Sequence, residues 1–199
     1  MRLNLGCGNK RLPGWVNVDF VPETRPDQVW NLERLPWPWA DNSVDEVLME
    51  HVLEHLGAAP DVYIGIIKEL HRVCRDGAKI NVVVPHPRHD VFLADPTHVR
   101  PITPADLAMF SQRRNLELIQ GGAATTPLGI YYNVDFDLVS TKQLLDSPWR
   151  ERFARGELNE GEMIEAAVRY NNIVLEFDIV LRAIKPTTTE RLRGAGTAG

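Results

Sequence analysis

Residues 3–19 read LNLGCGNKRLPGWVNVD, and their order decides the fold. Leu3, Asn4 and Leu5 predict a short strand that runs into a turn with Gly6 and Gly8 on either side of Cys7. Glycine there admits positive φ and lets a ligand approach the backbone with no Cβ in the way. Trp15 to Asp19 predicts a second strand, and Asp19 ends it in a carboxylate able to accept both hydroxyls of a ribose. Nucleoside sites lie at the carboxyl ends of parallel strands. Asp19 follows Gly8 by eleven positions, against about 20 in the dinucleotide fingerprint. The helix usual after the first strand must therefore shrink to a turn, helped by Pro13-Gly14, and the spacing argues against a nicotinamide dinucleotide.

Working outward, Gln28 to Trp30 and Ser43 to Met49 predict a third and a fourth strand, the latter leading into a helical stretch at His51 to Leu56. Ile66, Ile67, Leu70, Val73 and Cys74 recur at helical spacing and predict a helix over Asp61 to Cys74. Asp76-Gly77 ends it, and Lys79 to Val84 is an apolar strand closed by Pro85. Further on, Pro104 to Ser111 and Met163 to Tyr170 read as helices, Asn133 to Val139 as extended chain, and Ile173 to Ile184 as a long β-rich run. Strands alternating with helices predict an α/β sandwich, a mainly parallel sheet covered on both faces. The last strand is expected to pair antiparallel with the one near Phe136 at the sheet edge. Residues 1–185 read as one domain, with a cofactor half over 1–85 and substrate-side insertions within 86–170. Pro186 to Gly199 has no apolar periodicity and is expected to be a disordered tail.

The chain has 199 residues, 44% of them hydrophobic, enough for one core. Its formal net charge is −5 and no Lys/Arg run stands out, which argues against a nucleic-acid partner, since phosphate binding calls for a basic stripe. The N-terminus has no apolar leader segment, and no stretch approaches the roughly 20 apolar residues of a membrane span. Cys7 and Cys74 occur in unrelated contexts and read as free thiols in a reducing compartment. The expectation is a cytoplasmic protein without a membrane partner.

Four blocks now stand in order: LNLGCGNKRLPGWVNVD at 3–19, NLERLPWPWADNSVDEV at 31–47, MEHVLEHL at 49–56 and KELHRVCRDGAKINVVVP at 68–85. Together they resemble the type-11 branch of the class I S-adenosylmethionine-dependent methyltransferases. The resemblance implies a Rossmann-like fold and a methyl-transferring enzyme that uses S-adenosylmethionine and releases S-adenosylhomocysteine. It implies that Gly6 and Gly8, with Cys7 between them, make room for the cofactor, and that Asp19 binds its ribose. Asn31 stands where the family often has an acid reading the adenine amino group, with Leu32 beside it. Glu50 and His51 fall near the sulfonium and the transferred methyl group. Asn4 stands where many relatives carry an acid, so its neutral amide should hold the cofactor's ammonium less strongly. Many relatives also have helices upstream that cover the cofactor. Here the candidate covers are residues 86–132, residues 145–170 or a second copy of the chain in a homodimer.

Methyl transfer is an in-line displacement, for which the protein aligns the groups and excludes water. A hydroxyl acceptor benefits from a base with a pKa near neutrality, for which His is the usual choice. His86, His89 and His98 follow the fifth strand, and DPTHVRPIT at 95–103 looks like a signature of the same branch. His98 therefore ranks first as a catalytic residue, with His51 and His89, while His86, Arg100, Tyr131 and Tyr132 are candidate substrate contacts. The expected acceptor is a small molecule or a glycan precursor. Two alternatives stand beside this reading. One is a non-catalytic S-adenosylmethionine-binding regulatory or partner subunit, motivated by Asn4. The other is a metal-dependent hydrolase built on His86, His89 and His98. HPRHD lacks the helix that fixes two histidines in HExxH sites, so no metal ligand is assigned.

Overall fold

In the computed structural model, which describes residues 1–196, seven strands form one sheet in the order β3-β2-β1-β4-β5-β7-β6. They are β1 (Arg2–Leu5), β2 (Val16–Asp19), β3 (Gln28–Val29), β4 (Val44–Glu50), β5 (Cys74–Pro85), β6 (Phe136–Leu145) and β7 (Val174–Ala183). The first five pair in parallel, while β7 runs antiparallel to both β5 and β6. The mainly parallel sheet with an antiparallel edge expected from the sequence is what forms. Alternation sets the faces: Ala78, Ile80, Val82 and Val84 of β5 are buried, as are Phe177, Ile179, Leu181 and Ala183 of β7.

Helix α1 (Pro60–Val73) starts with Pro60, whose missing N–H is no loss in a first turn. It buries Tyr63, Ile66, Ile67, Leu70 and Val73 along one stripe, the spacing that predicted it. The chain order runs outward from β1 through β2 to β3, then returns to β4 and β5 on the other side. The sheet thus changes direction between β1 and β4, and the crevice beyond their carboxyl ends is where open α/β sheets bind ligands.

As the short spacing predicts, no helix follows β1: residues 7–15 form a loop held by two buried asparagines. Asn4 donates to the Lys10 carbonyl at 2.8 Å and to Asn17 Oδ1 at 3.0 Å, and Asn17 Oδ1 accepts the Leu12 N–H at 2.8 Å. The stretch 51–56 is not a regular helix. His51 takes φ +54° and a single 3-10 turn follows at Leu53–His55. The region after β5 carries more helix than its sequence suggested: α2 (Asp90–Ala94), α3 (Pro104–Ala108), α4 (Gln112–Gln120), α5 (Leu128–Tyr132), α6 (Trp149–Ala154) and α7 (Glu160–Arg169). Thr103 and Asn159 cap α3 and α7 through reciprocal capping boxes.

The expected disordered tail is a correction. Residues 188–196 form helix α8 (Thr188–Gly196), and only the end of that expectation, 197–199, lies outside the described residues. Asp135 Oδ2 accepts both the N–H (2.8 Å) and the hydroxyl (2.6 Å) of Thr188, while Gln112 Oε1 accepts both from Thr189 at 2.8 Å. Asp135 is fully buried, and its other oxygen accepts the Gln112 N–H at 2.9 Å. Asp135→Ala strands the N–H and hydroxyl of Thr188 and the N–H of Gln112. It should lower stability by about 2–4 kcal/mol, a fall in Tm of about 4–16 °C for a chain of this size, read by thermal unfolding.

Candidate functional site

A cleft of about 520 Å3 opens at the point where the sheet reverses, lined by the ends of β1, β2 and β4 and the loops that follow them. That volume lies in the range of small-molecule sites. From the first block come Gly6 and Asp19; from the second, Asn31, Leu32 and Glu33; from the third, His51, Val52, His55 and Leu56. Phe20, Trp30 and Thr97 complete the lining.

Gly6 has φ +65°, and a Cβ there would lie 2.3 Å from Val52 Cγ2. Only glycine lets the β1 turn pack against the β4 turn at this closeness. Asp19 fastens the same turn: its Oδ2 accepts the Gly8 N–H at 2.8 Å and its Oδ1 the Val21 N–H at 2.9 Å. A carboxylate oxygen offers about two lone-pair sites, so each oxygen retains acceptor capacity.

The floor of the cleft is held from behind. Trp37 Nε1 donates to the Leu32 carbonyl at 2.8 Å, and Trp37 meets Trp39 edge-on at 5.6 Å. Arg72 of α1 donates to the carbonyls of Trp37 (3.0 Å) and Trp39 (2.9 Å) and to Glu69 (2.7 Å), while Glu69 accepts the Trp37 N–H at 2.6 Å. The PWPW segment is therefore clamped to α1 by one guanidinium. Asn31 Oδ1 accepts the Glu33 N–H at 2.9 Å, which turns the chain so that both residues reach the cleft.

His51 sits in the left-handed region, which is uncommon for a residue with a Cβ and points to a functional constraint. Its Nδ1 lies 3.5 Å from Glu54 Oε1 and its Nε2 lies 3.2 Å from Glu176 Oε2. The Glu54 carboxylate, ahead of Glu176 and Glu50, raises the imidazole above its ordinary pKa, against the opposing pull of burial. The two histidine-bearing motifs meet beside it. The Glu54 carbonyl accepts the N–H groups of Val99 (2.9 Å) and Arg100 (3.2 Å), which binds the 95–103 segment to the 3-10 turn.

Of the residues expected in the site, Gly6, Asp19, Asn31, Leu32 and His51 line the cleft; the others do not. The Asn4 side chain is turned into the loop as described, so it faces no ligand. Cys7 is buried, and its thiol is raised in pKa by burial and by Asp19. The N–H of Gly8 is spent on Asp19, and Glu50 is ion-paired with Lys10. His98 stands behind the wall: its side chain is 6% exposed, its ring stacks on Phe92, and its Nδ1 is 2.7 Å from the Phe92 carbonyl. His89 is buried as the cap of α2, accepting the Val91 N–H at 3.1 Å and meeting Asp146 at 3.0 Å. His86 accepts the Arg88 N–H and packs on Phe177. Arg100 lies over the Tyr63 ring at 4.2 Å in a neighbouring hollow. Tyr132 borders a third hollow with His71 and Lys185, beside the end of α1, and Tyr131 is exposed. His86, His89 and His98 do not gather into a ligand set among the described residues. Of the proposed covers, 86–132 supplies Thr97, and 145–170 supplies no lining residue.

His55 and Thr97 were missed as lining residues. His55 sits four positions after His51, within the stretch expected to be helical; the left-handed turn at His51 and the 3-10 turn after it bring both rings to the cleft instead.

Residues 3–82 match the family described as a methyltransferase domain. No curated protein matches. Among solved structures, a SAM-dependent methyltransferase from Archaeoglobus fulgidus superposes with a TM-score of 0.57 at 17% identity, covering 91% of this chain and 85% of the other. A SAM-dependent methyltransferase from Methanosarcina mazei gives 0.52 at 17% identity, covering 92% of each. The [4+2]-cyclase SpnF gives 0.52 at 14%, over 92% of this chain and 75% of its own, so the likeness speaks for the fold and not for one reaction. The sequence match over residues 3–82, about two fifths of the chain, supports an S-adenosylmethionine-dependent methyltransferase of the class I, type-11 kind. No helix among the described residues is long and apolar enough to cross a membrane.

The Arg72 clamp gives a test of how the floor is held. Arg72→Ala frees two carbonyls and leaves Glu69 without its cation. It should cost about 2–3 kcal/mol and weaken S-adenosylhomocysteine binding through Asn31 and Leu32, as read by thermal unfolding and calorimetry.

Proposed function

We propose that this chain transfers the methyl group of S-adenosylmethionine to an oxygen of a small-molecule or glycan-precursor acceptor. The observation that carries this reading is the single cleft in which Gly6, Asp19, Asn31, Leu32 and His51 converge. Asp19 takes the ribose hydroxyls on the lone pairs left free by Gly8 and Val21. The Asn31 carboxamide reads the adenine edge, while Leu32 and Trp30 supply apolar surface beside it. Gly6, packed on Val52, brings the backbone of the β1 turn to the cleft beside the amino-acid portion.

Bound there, the cofactor supplies a methyl group already activated on a sulfonium. The task left to the protein is alignment, exclusion of water and removal of one proton. His51 is positioned for the last. The Glu54 carboxylate, 3.5 Å from Nδ1, favours the protonated ring by its charge, and an acceptor hydroxyl replaces Glu176 as the partner of Nε2. A carboxylate behind an imidazole both fixes the tautomer and stabilises the imidazolium that forms. The net charge of −5 and the absence of a basic run in the sequence favour a small acceptor over a nucleic acid.

Isothermal titration of S-adenosylhomocysteine tests the cleft. Asp19→Ala removes a charged acceptor worth about 1.5–3 kcal/mol and should weaken binding about ten- to a hundredfold; an unchanged Kd means that the ribose lies elsewhere. His51→Gln should leave that Kd within about threefold and reduce release of S-adenosylhomocysteine by about 10²-fold across an acceptor panel. Full turnover in that variant removes His51 as the base.

A further inference from the structure

Behind the cleft wall lies a carboxylate that the methyl-transfer reading uses only in part. The Glu54 side chain is 1% exposed, and neither of its oxygens has a hydrogen-bond partner among the described residues. A carboxylate held out of water without compensation is costly enough that native proteins supply a partner. Besides His51, two ring nitrogens face it: His55 Nε2 and His98 Nε2, each 4.0 Å from Glu54 Oε1. Those separations are too long for hydrogen bonds.

The protons on these rings can be placed from their other contacts. His98 Nδ1 is 2.7 Å from the Phe92 carbonyl, which only accepts, so Nδ1 carries the hydrogen. His55 Nδ1 is 2.9 Å from Thr97 Oγ1, whose own hydrogen goes to Asp95 Oδ1 at 2.6 Å. His55 is therefore also protonated on Nδ1. Both Nε2 atoms present lone pairs toward an unpartnered carboxylate, and the three donor atoms lie within 4.8 Å of one another.

We propose that Glu54, His55 and His98 bind a divalent transition-metal ion of the zinc class. Donors on a tetrahedral ion at about 2.1 Å stand about 3.4 Å apart, so the three atoms, within 4.8 Å of one another, draw in by about 1 Å when an ion binds. Two imidazoles and one carboxylate with a vacant position are a zinc donor set, whereas magnesium and calcium favour oxygen throughout. The outer contacts have the form that accompanies metal-bound histidine, each ring donating its other N–H to an oxygen. Asp95 Oδ2, 3.9 Å from His98 Nε2, is a fourth donor close by.

This set differs from the loop histidines considered from the sequence, of which it keeps only His98. Because His55 and Thr97 also line the cleft, the ion stands at its wall. There it would act as a Lewis acid on an oxygen-bearing acceptor, polarising a hydroxyl for His51. That role rests on the methyl-transfer reading; the binding itself does not.

The test is titration of zinc chloride into chelator-stripped, buffer-exchanged protein, with metal content measured after desalting. One equivalent should bind. Glu54→Gln and His55→Ala should each weaken binding at least about tenfold, the loss seen even when outer-shell partners are removed. His86→Ala, which alters a histidine outside the cluster, should bind as the unmodified chain does. No uptake, as an imidazolium beside Glu54 would give, overturns the proposal, and so does uptake unchanged in both cluster variants. S-adenosylhomocysteine is titrated alongside. Cofactor binding without zinc uptake overturns the metal site alone, and zinc uptake without cofactor binding overturns the cleft reading alone.

Discussion

The cleft depends on a polar ladder that runs from β1 through β2 to the start of β3, buried at Asn4 and Asn17 and open to solvent at Asp27. Asn4 of β1 meets Asn17 of β2, and Asn17 in turn donates from its backbone N–H (2.9 Å) and its amide (2.7 Å) to Asp27 Oδ2, just before β3. In low-dielectric surroundings such a network is costly if incomplete and rigid when complete. Here it does the work of the absent first helix. It holds the loop over residues 7–15, which leaves Gly6 free to pack on Val52 and aims Gly8 at Asp19. The acid that many relatives carry at position 4 is thus not simply missing; the amide serves the scaffold. Asp27, also paired with Arg11, is held below the usual carboxylate range, first by the Asn17 backbone and side chain.

Much of the fold was legible because its signals are local. The stripe of α1, the alternation of β5 and β7 and the glycine turn after β1 each declare themselves within a dozen residues. The regions misread are those where distant partners decide. TTTER at 187–191 lacks apolar periodicity, yet Thr187 and Glu190 stand in a capping-box spacing, and Glu190 accepts the Thr187 N–H at 2.8 Å. That signal was present in the sequence; the pairing with Asp135 and Gln112 was not.

The candidate site divides along the same line. Gly6, Asp19, Asn31, Leu32 and His51 sit at strand ends, where position in the sequence nearly fixes position in space. The histidines after β5 sit in loops, and their order says little about which way each ring points. His98, His89 and His86 were grouped by proximity in the chain. The fold instead sends His89 beneath α2, sets His86 against β7 and joins His98 to Glu54. The MEHVLEHL and DPTHVRPIT stretches are joined by the Glu54 carbonyl, with two N–H groups bound to it, and by the hydrogen bond between His55 and Thr97.

Of the five tryptophans, Trp30 alone borders the cleft, while Trp37 and Trp39 are buried in the clamp behind it and Trp149 stacks on Tyr170. The Trp30 indole N–H has no partner among the described residues, and the Arg34 guanidinium lies 5.2 Å from its ring centre. A ligand entering the cleft changes the polarity around this one indole and leaves the other four in their settings. The molecule therefore carries an optical reporter at the place where binding occurs, against a background fixed by its own core.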